Sequence, residues 1–122
     1  MKTPLKIHFE GFDPSEFIEA RVRDEAHKLE HFFDKIISCR VIIEKPHKHH
    51  HKGNLYGVKI FMSLPGNNIV SVDHNPGKNE THEDVYVAIR DSFKAARRQL
   101  QDTVRKMQGK VKTHQTPQGE DF

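Results

Sequence analysis

An α+β domain of order β-α-β-β-β-α, a four-stranded mixed sheet with two helices packed on one face, is the fold this sequence predicts. Three observations lead there. Apolar residues alternate with polar ones in four short stretches, the period of strands buried on one face. Two longer stretches repeat their apolar residues every three or four positions, as helices with one buried face do. The order of the stretches does the rest. A strand-helix-strand unit winds right-handed into a parallel pair, and strands joined by short connections continue antiparallel. Both helices then have one sheet face on which to bury their stripes.

Leu5, Ile7 and Phe9 alternate with Lys6, His8 and Glu10, and Gly11 breaks this first strand. Asp13-Pro14-Ser15-Glu16 offers an N-cap aspartate, a proline at the first helical position and a glutamate at the third. The helix that follows carries Ile18, Val22, Ala26, Leu29, Phe33 and Ile36 in one stripe, with Phe32 at its edge. Glu16, Glu19, Glu30 and Asp34 lie towards one exposed side, Arg21 and Lys28 towards another. Ile37 to Glu44 is the second strand, with Ile37, Cys39, Val41 and Ile43 inward; Cys39 is expected to be a small buried apolar residue without chemistry. Pro46 ends it, and the polar stretch KPHKHHHKGN leads to a third strand whose inward set is Tyr56, Val58, Ile60, Met62 and Leu64. Pro65-Gly66-Asn67-Asn68 is a turn and Ile69 to Asp73 a short fourth strand. Ile42 and Phe61 fall on the open, more polar sheet face, the weak point of the assignment or else a contact surface.

Thr81, with Asp84 three residues on, is placed to cap a long second helix, His82 to Lys112, whose stripe is Val85, Ile89, Phe93, Ala96, Leu100, Val104, Met107 and Val111. From Thr113 the polar tail THQTPQGEDF is expected to be disordered, leaving residues 1–112 as one domain. At 122 residues, 34% hydrophobic and with a mean hydropathy of -0.77, the chain predicts a single domain with a thin, two-layer core.

The second helix carries the strongest functional signal. Arg90, Lys94, Arg97, Arg98 and Arg105 form a second stripe well round the cylinder from the apolar one. The chain's net charge of +3 is unevenly spread: Asp13 to Ile36 holds four cations against seven carboxylates, His82 to Lys112 eight against four. That asymmetry points to a polyanionic partner. Catalysis has little support. Adjacent carboxylates (Asp24 and Glu25, Glu83 and Asp84) diverge by about 100° on a helix, and no phosphate loop, nucleophile elbow or cysteine motif is present. The expectation is a protein that is not an enzyme, with no cofactor and no small-molecule substrate. A lone cysteine excludes an internal disulfide, and no apolar run or signal-peptide pattern suggests a membrane, so a cytoplasmic setting is expected.

His47, Lys48, His49, His50, His51 and Lys52 crowd one connection. Such a tract can be a solvated loop, a contact to RNA phosphate or bases, or a weak metal ligand set. Consecutive residues cannot all converge on one ion and the flanking lysines repel a cation, so no metal is assigned. His27 and His31, four apart on the first helix, lack a third ligand in sequence.

HEDVYVAIR followed by ARRQL at Ala96 to Leu100, with KLE at Lys28 to Glu30 and a Phe-Asp near the first helix end, resembles the ribosome hibernation-promoting factor family, also called ribosome-associated inhibitor A or sigma-54 modulation proteins. The resemblance runs from Leu5 to about Lys112 and is closest to a branch with a Pro-His-basic-His-His-His-Lys-Gly-Asn stretch, here Pro46 to Asn54. It implies the same fold, like that of double-stranded-RNA-binding domains, and a protein that binds the small ribosomal subunit where mRNA and tRNA would lie. Lys28, Tyr86 and Arg98 match family positions; Lys28 and Arg98 are implied rRNA contacts, and Arg105 and Lys106 extend the basic end. Glu19, Glu25, Ala95 and Asp102 stand where other members tend to be basic. The implied partners are the small subunit and its rRNA, bound by an isolated chain expected to be monomeric. A general RNA-binding module acting off the ribosome, or a metal-binding protein built on the histidine loop, are the alternatives.

Overall fold

The computed structural model describes residues 3–45, 56–74 and 84–115, without the side chains of residues 74 and 110–115. The elements are β1 (Leu5–Glu10), α1 (Glu16–Phe32), β2 (Ser38–Glu44), β3 (Gly57–Leu64), a 3₁₀ turn at Pro65–Asn67, β4 (Asn68–His74) and α2 (Val85–Gln115). The sheet order is β1-β2-β3-β4. β1 pairs parallel with β2 (Ile7 opposite Val41), and the other pairs are antiparallel, with Val41 opposite Ile60 and Ile60 opposite Val72. Both helices contact the sheet and each other, so the β-α-β-β-β-α architecture is the one that periodicity predicts.

The alternation in the strands decides which face is covered. Cys39, Val41, Ile43, Val58, Ile60, Met62, Leu64, Val70 and Val72 are buried beneath Ile18, Val22, Ala26 and Leu29 of α1 and Val85, Ala88, Ile89, Phe93, Ala96 and Leu100 of α2. Each large side chain fully buried here contributes about 1.5–3 kcal/mol. Three φ values above zero mark two turns that need their residues. A side chain at Gly11 (φ 91) would collide with the Lys45 carbonyl, just where Lys45 N–H donates to Glu10 and joins the ends of β1 and β2. Gly66 (φ 77) and Asn67 (φ 61) close the β3–β4 hairpin, using the two residue types that best tolerate left-handed backbone.

Several boundaries differ from the sequence expectation. The α1 cap is Ser15, not Asp13: its Oγ accepts from Ile18 N–H at 3.3 Å while its backbone stays extended. Both residues carry a capping oxygen, but Ser15 is the one that immediately precedes the first helical residue, Glu16, with its backbone still extended. Phe33 is the α1 C-cap rather than a helical residue, and Ile36 reaches the core from beyond the helix. Ile37 is not inward; it precedes β2, is 55% exposed, and donates its N–H to Ser63. The alternation fails there because β2 has not begun, its pairing with β1 starting only at Cys39. α2 starts at Val85 and not at His82, with Asp84 outside it: Asp84 Oδ1 accepts from Tyr86 N–H at 2.9 Å, and its carbonyl accepts from Val87 and Ala88. The capping role given to Thr81 falls outside the described residues. At its other end α2 reaches Gln115, three residues past Lys112; residues 116–122 are outside the described set.

The uncovered sheet face carries Lys6, His8 and Glu10 of β1, Arg40, Ile42 and Glu44 of β2, and Lys59 and Phe61 of β3. Ile42 and Phe61 do sit on it, half-buried. Arg40 lies over the Phe61 ring at 5.3 Å, and Lys59 pairs with Glu44 at 3.0 Å. That hydrogen-bonded carboxylate, with Asp73 and Glu10 beyond it, raises the Lys59 pKa.

Candidate nucleic-acid interface

The buried stripe of α2 fixes where its other side chains point. With Val85, Ile89, Phe93, Ala96 and Leu100 inward, helical geometry at about 100° per residue turns Lys94, Arg98 and Arg105 within about 40° of one another and directly away from the core. Arg90 and Arg97 lie about 40° and 60° from Lys94, on the side facing α1. All five are exposed. Lys106 is exposed too, but it projects about 100° from Arg105, on the opposite flank. The structure therefore gathers five of the six cations proposed on α2 and sets Lys106 apart.

Their partners divide them further. Arg90 donates Nε and Nη2 to Asp91 Oδ1 at 3.2 and 3.1 Å. Arg105 Nη1 lies 3.6 Å from Asp102 Oδ1, so that departure offsets a cation of the stripe rather than breaking the row. Among the described residues, Lys94, Arg98 and Lys106 have no ion pair. Ala95, another departure, is half-buried against the core and outside the cationic sector.

Arg97 is engaged by a ring. Its guanidinium lies 5.1 Å from the centroid of Phe32 on the last turn of α1, and near the other end of the pair Arg21 of α1 lies 5.6 Å from the Tyr86 ring of α2. The two rungs are eleven residues apart on each helix, so α1 and α2 run parallel. Arg21, Lys28 and Phe32 fall within about 40° on α1, which puts Lys28 on the flank facing α2. Lys28 is not free: Nζ is 3.8 Å from Glu25 and 3.9 Å from Asp24, and Arg21 Nε is 3.5 Å from the same Glu25. Glu19 pairs with Arg23 at 3.2 Å on the far flank. Of the two acidic departures on α1, only Glu25 lies at the seam between the helices.

Arg21, Phe32 and Phe17 were not among the site residues read from sequence. Phe17, 76% exposed in the first turn of α1, shares a flank with Arg21 and Lys28 at spacings of four and eleven, the signal that would have found it. The His47–Lys52 tract lies outside the described residues. Its anchors, the end of β2 and the start of β3, lie at the end of the sheet from which both helices depart. His27 and His31 meet edge to face at 4.7 Å, and no group of three or more metal-capable side chains occurs among the described residues. Cys39 is buried, and desolvation pushes its thiol up to about 12, so it stays protonated and unreactive. No described helix is long and apolar enough to cross a membrane.

The family model described as "Sigma 54 modulation protein / S30EA ribosomal protein" matches residues 5–108. Among solved structures, the chain is similar to the Protein Y N-terminal domain of Thermus thermophilus, with a TM-score of 0.62 at 18% identity over 83% of this chain and 98% of that one. It is also similar to a ribosomal subunit interface protein from Coxiella burnetii, with a TM-score of 0.61 at 15% identity over 83% of this chain and 97% of that one. At these identities the two structures speak for the fold. No curated protein matches the chain.

Proposed function

The chain belongs to the sigma 54 modulation protein / S30EA ribosomal protein family, and from that premise we propose that it is a ribosome-associated translation inhibitor of the hibernation kind. It lays the outer face of α2 on rRNA of the small subunit and occupies the channel that mRNA and tRNA would use. The observation that carries this reading is the outward row of Lys94, Arg98 and Arg105 flanked by Arg90 and Arg97, two of whose members lack any carboxylate partner among the described residues. Unpaired cations on a rigid helix are positioned for phosphates, and folded rRNA offers phosphates and groove shape more than readable base edges. Glu25 holds Lys28 back, so Lys28 is a secondary contact.

Inhibition on this account is occupancy: no bond is made or broken, no cofactor is needed, and residues 1–112 acting as a monomer in the cytoplasm suffice. The histidine-lysine tract at His47–Lys52, rich in groups that can meet phosphates or bases, is assigned a supporting RNA contact. Affinity for the subunit should fall with salt, with a log-log slope of roughly -0.7 to -0.9 per phosphate neutralised. The test is competition on isolated small subunits. Labelled mRNA with initiator tRNA should be displaced as the protein is added, and simultaneous binding of all three would contradict occlusion.

A further inference from the structure

Two rings on α1 stand in places that neither folding nor charge explains. Phe17 leaves 76% of its surface in water, the largest exposed fraction among the described large apolar residues, and Phe32 leaves 38%. Both lie on the flank of α1 that looks towards the cationic face of α2. They bracket Arg21 and Lys28 and sit fifteen residues, about 22 Å, apart along the helix. Neither ring is needed for the core, since Ile18, Val22, Ala26 and Leu29 fill the buried stripe of α1. The α1 flank is close to neutral, because Glu25 and Asp24 pair its two cations. α2 supplies the charge and α1 supplies rings.

We propose that the seam between the helices takes up unpaired RNA bases, stacked on Phe17 and on Phe32, while α2 holds the flanking phosphates. This rests on the reading that the partner is RNA and adds which part of it is recognised. A base buried in a duplex shows neither of its faces, whereas an unpaired base can lie on an aromatic ring, and every base has a face to offer. Phe32 is prepared for this by Arg97, whose guanidinium already lies against the ring at 5.1 Å and can place its charge beside a stacked nucleotide. A protein partner fits less well. Lysine is depleted at protein interfaces, and here Lys28 shares the flank of both rings while Lys94 lies about one turn from Arg97 on the facing helix.

Rings and cations leave different signatures. A lost stacking contact lowers affinity without altering the number of phosphates neutralised, so the salt slope stays constant; a lost cation reduces the slope by about one. The experiment measures affinity across a salt series for small subunits, a single-stranded oligoribonucleotide and a duplex of equal length. It uses the full chain, Phe17→Ala, Phe32→Leu, their combination, and Phe17→Tyr, which keeps a ring. Circular dichroism melts confirm folding, and Phe17→Ala, at a site this exposed, keeps the test open if Phe32→Leu disturbs the end of α1.

Each ring loss should weaken single-strand and subunit binding about tenfold, or ~1.4 kcal/mol, at constant slope, with Phe17→Tyr close to wild type and duplex binding unmoved. Equal affinity in the double variant overturns the proposal, as does an equal loss on duplex and single strand. A loss on subunits alone also overturns it, by assigning the rings to ribosomal protein. A ring-dependent single-strand affinity in a chain that ignores small subunits supports the stacking site and contradicts the ribosomal reading.

Discussion

α1 and α2 run parallel on one sheet face and bury similar stripes, but α1 carries five carboxylates against three cations and α2 eight cations against two carboxylates. On α1 the charges are spent on one another: Arg21 with Glu25, Arg23 with Glu19, Lys28 with Asp24 and Glu25. Exposed pairs of this kind contribute about 0–1 kcal/mol each. On α2, Lys94, Arg97 and Arg98 crowd a single turn, where like charges repel by a few tenths of a kcal/mol per pair. Folding alone would favour the arrangement of α1. Folding does not explain why α2 keeps its cations close and partly unpaired, and this difference between the two outer faces is what supports the proposed placement of the partner on α2.

On their inner faces the two helices should respond alike. Leu29 of α1 and Leu100 of α2 are 4% and 0% exposed, so Leu29→Ala and Leu100→Ala should each lower the unfolding free energy by about 2–5 kcal/mol in urea titrations. A silent Leu29→Ala would mean that α1 is not docked as described.

Cys39 sharpens the same point, because it lies under α1 with Ala26, Leu29 and Ile36. Burial raises its pKa from 9.0 to about 12. The folded state therefore holds its proton more tightly than the unfolded state. The stability this contributes is complete below pH 9 and is lost between pH 9 and about 12, at about 1.4 kcal/mol per pH unit. Cys39→Ala should remove that part of the alkaline loss in pH-dependent melts. A thiol reagent at pH 8 should label native protein only as fast as it unfolds.

On the outer faces the helices should part. Lys94→Glu should weaken small-subunit binding roughly tenfold and flatten the salt slope, while Lys28→Glu, whose cation is already paired, should cost less than about threefold. Glu25→Gln goes the other way. It releases both Arg21 and Lys28, so it should tighten binding roughly threefold while lowering stability by no more than about 1 kcal/mol. If Glu25→Gln leaves affinity unchanged, the α1 flank does not face the partner.

Periodicity carried the fold because each strand and helix buries one face, and a two-layer domain leaves that pattern no rival. It faltered where two local signals were equally good. Asp13 and Ser15 can both cap α1, and Asp84 could be read inside α2 as easily as at its start. It also faltered at Ile37, where alternation was extended past the end of a strand that only pairing defines. In the candidate interface, the cation stripe of α2 follows from helical spacing alone. Which cations are already paired does not: Arg90 turning to Asp91, Lys28 held by Glu25 and Arg97 resting on Phe32 depend on rotamers and on the packing of one helix against another. The separation of Lys106 from the row was within reach of the same 100° arithmetic.

If the outer face of α2 carries most of the attraction for the ribosome and the α1 flank only adds to it, charge reversal on the two helices should have unequal effects. The most direct measurement is co-sedimentation with isolated small subunits in a sucrose gradient, comparing Arg97→Glu/Arg98→Glu on α2 with Arg21→Glu/Lys28→Glu on α1. The α2 pair should leave the melting temperature within a few degrees of wild type and abolish co-sedimentation, while the α1 pair should still travel with the subunit. Unaltered co-sedimentation of the α2 variant would contradict the account.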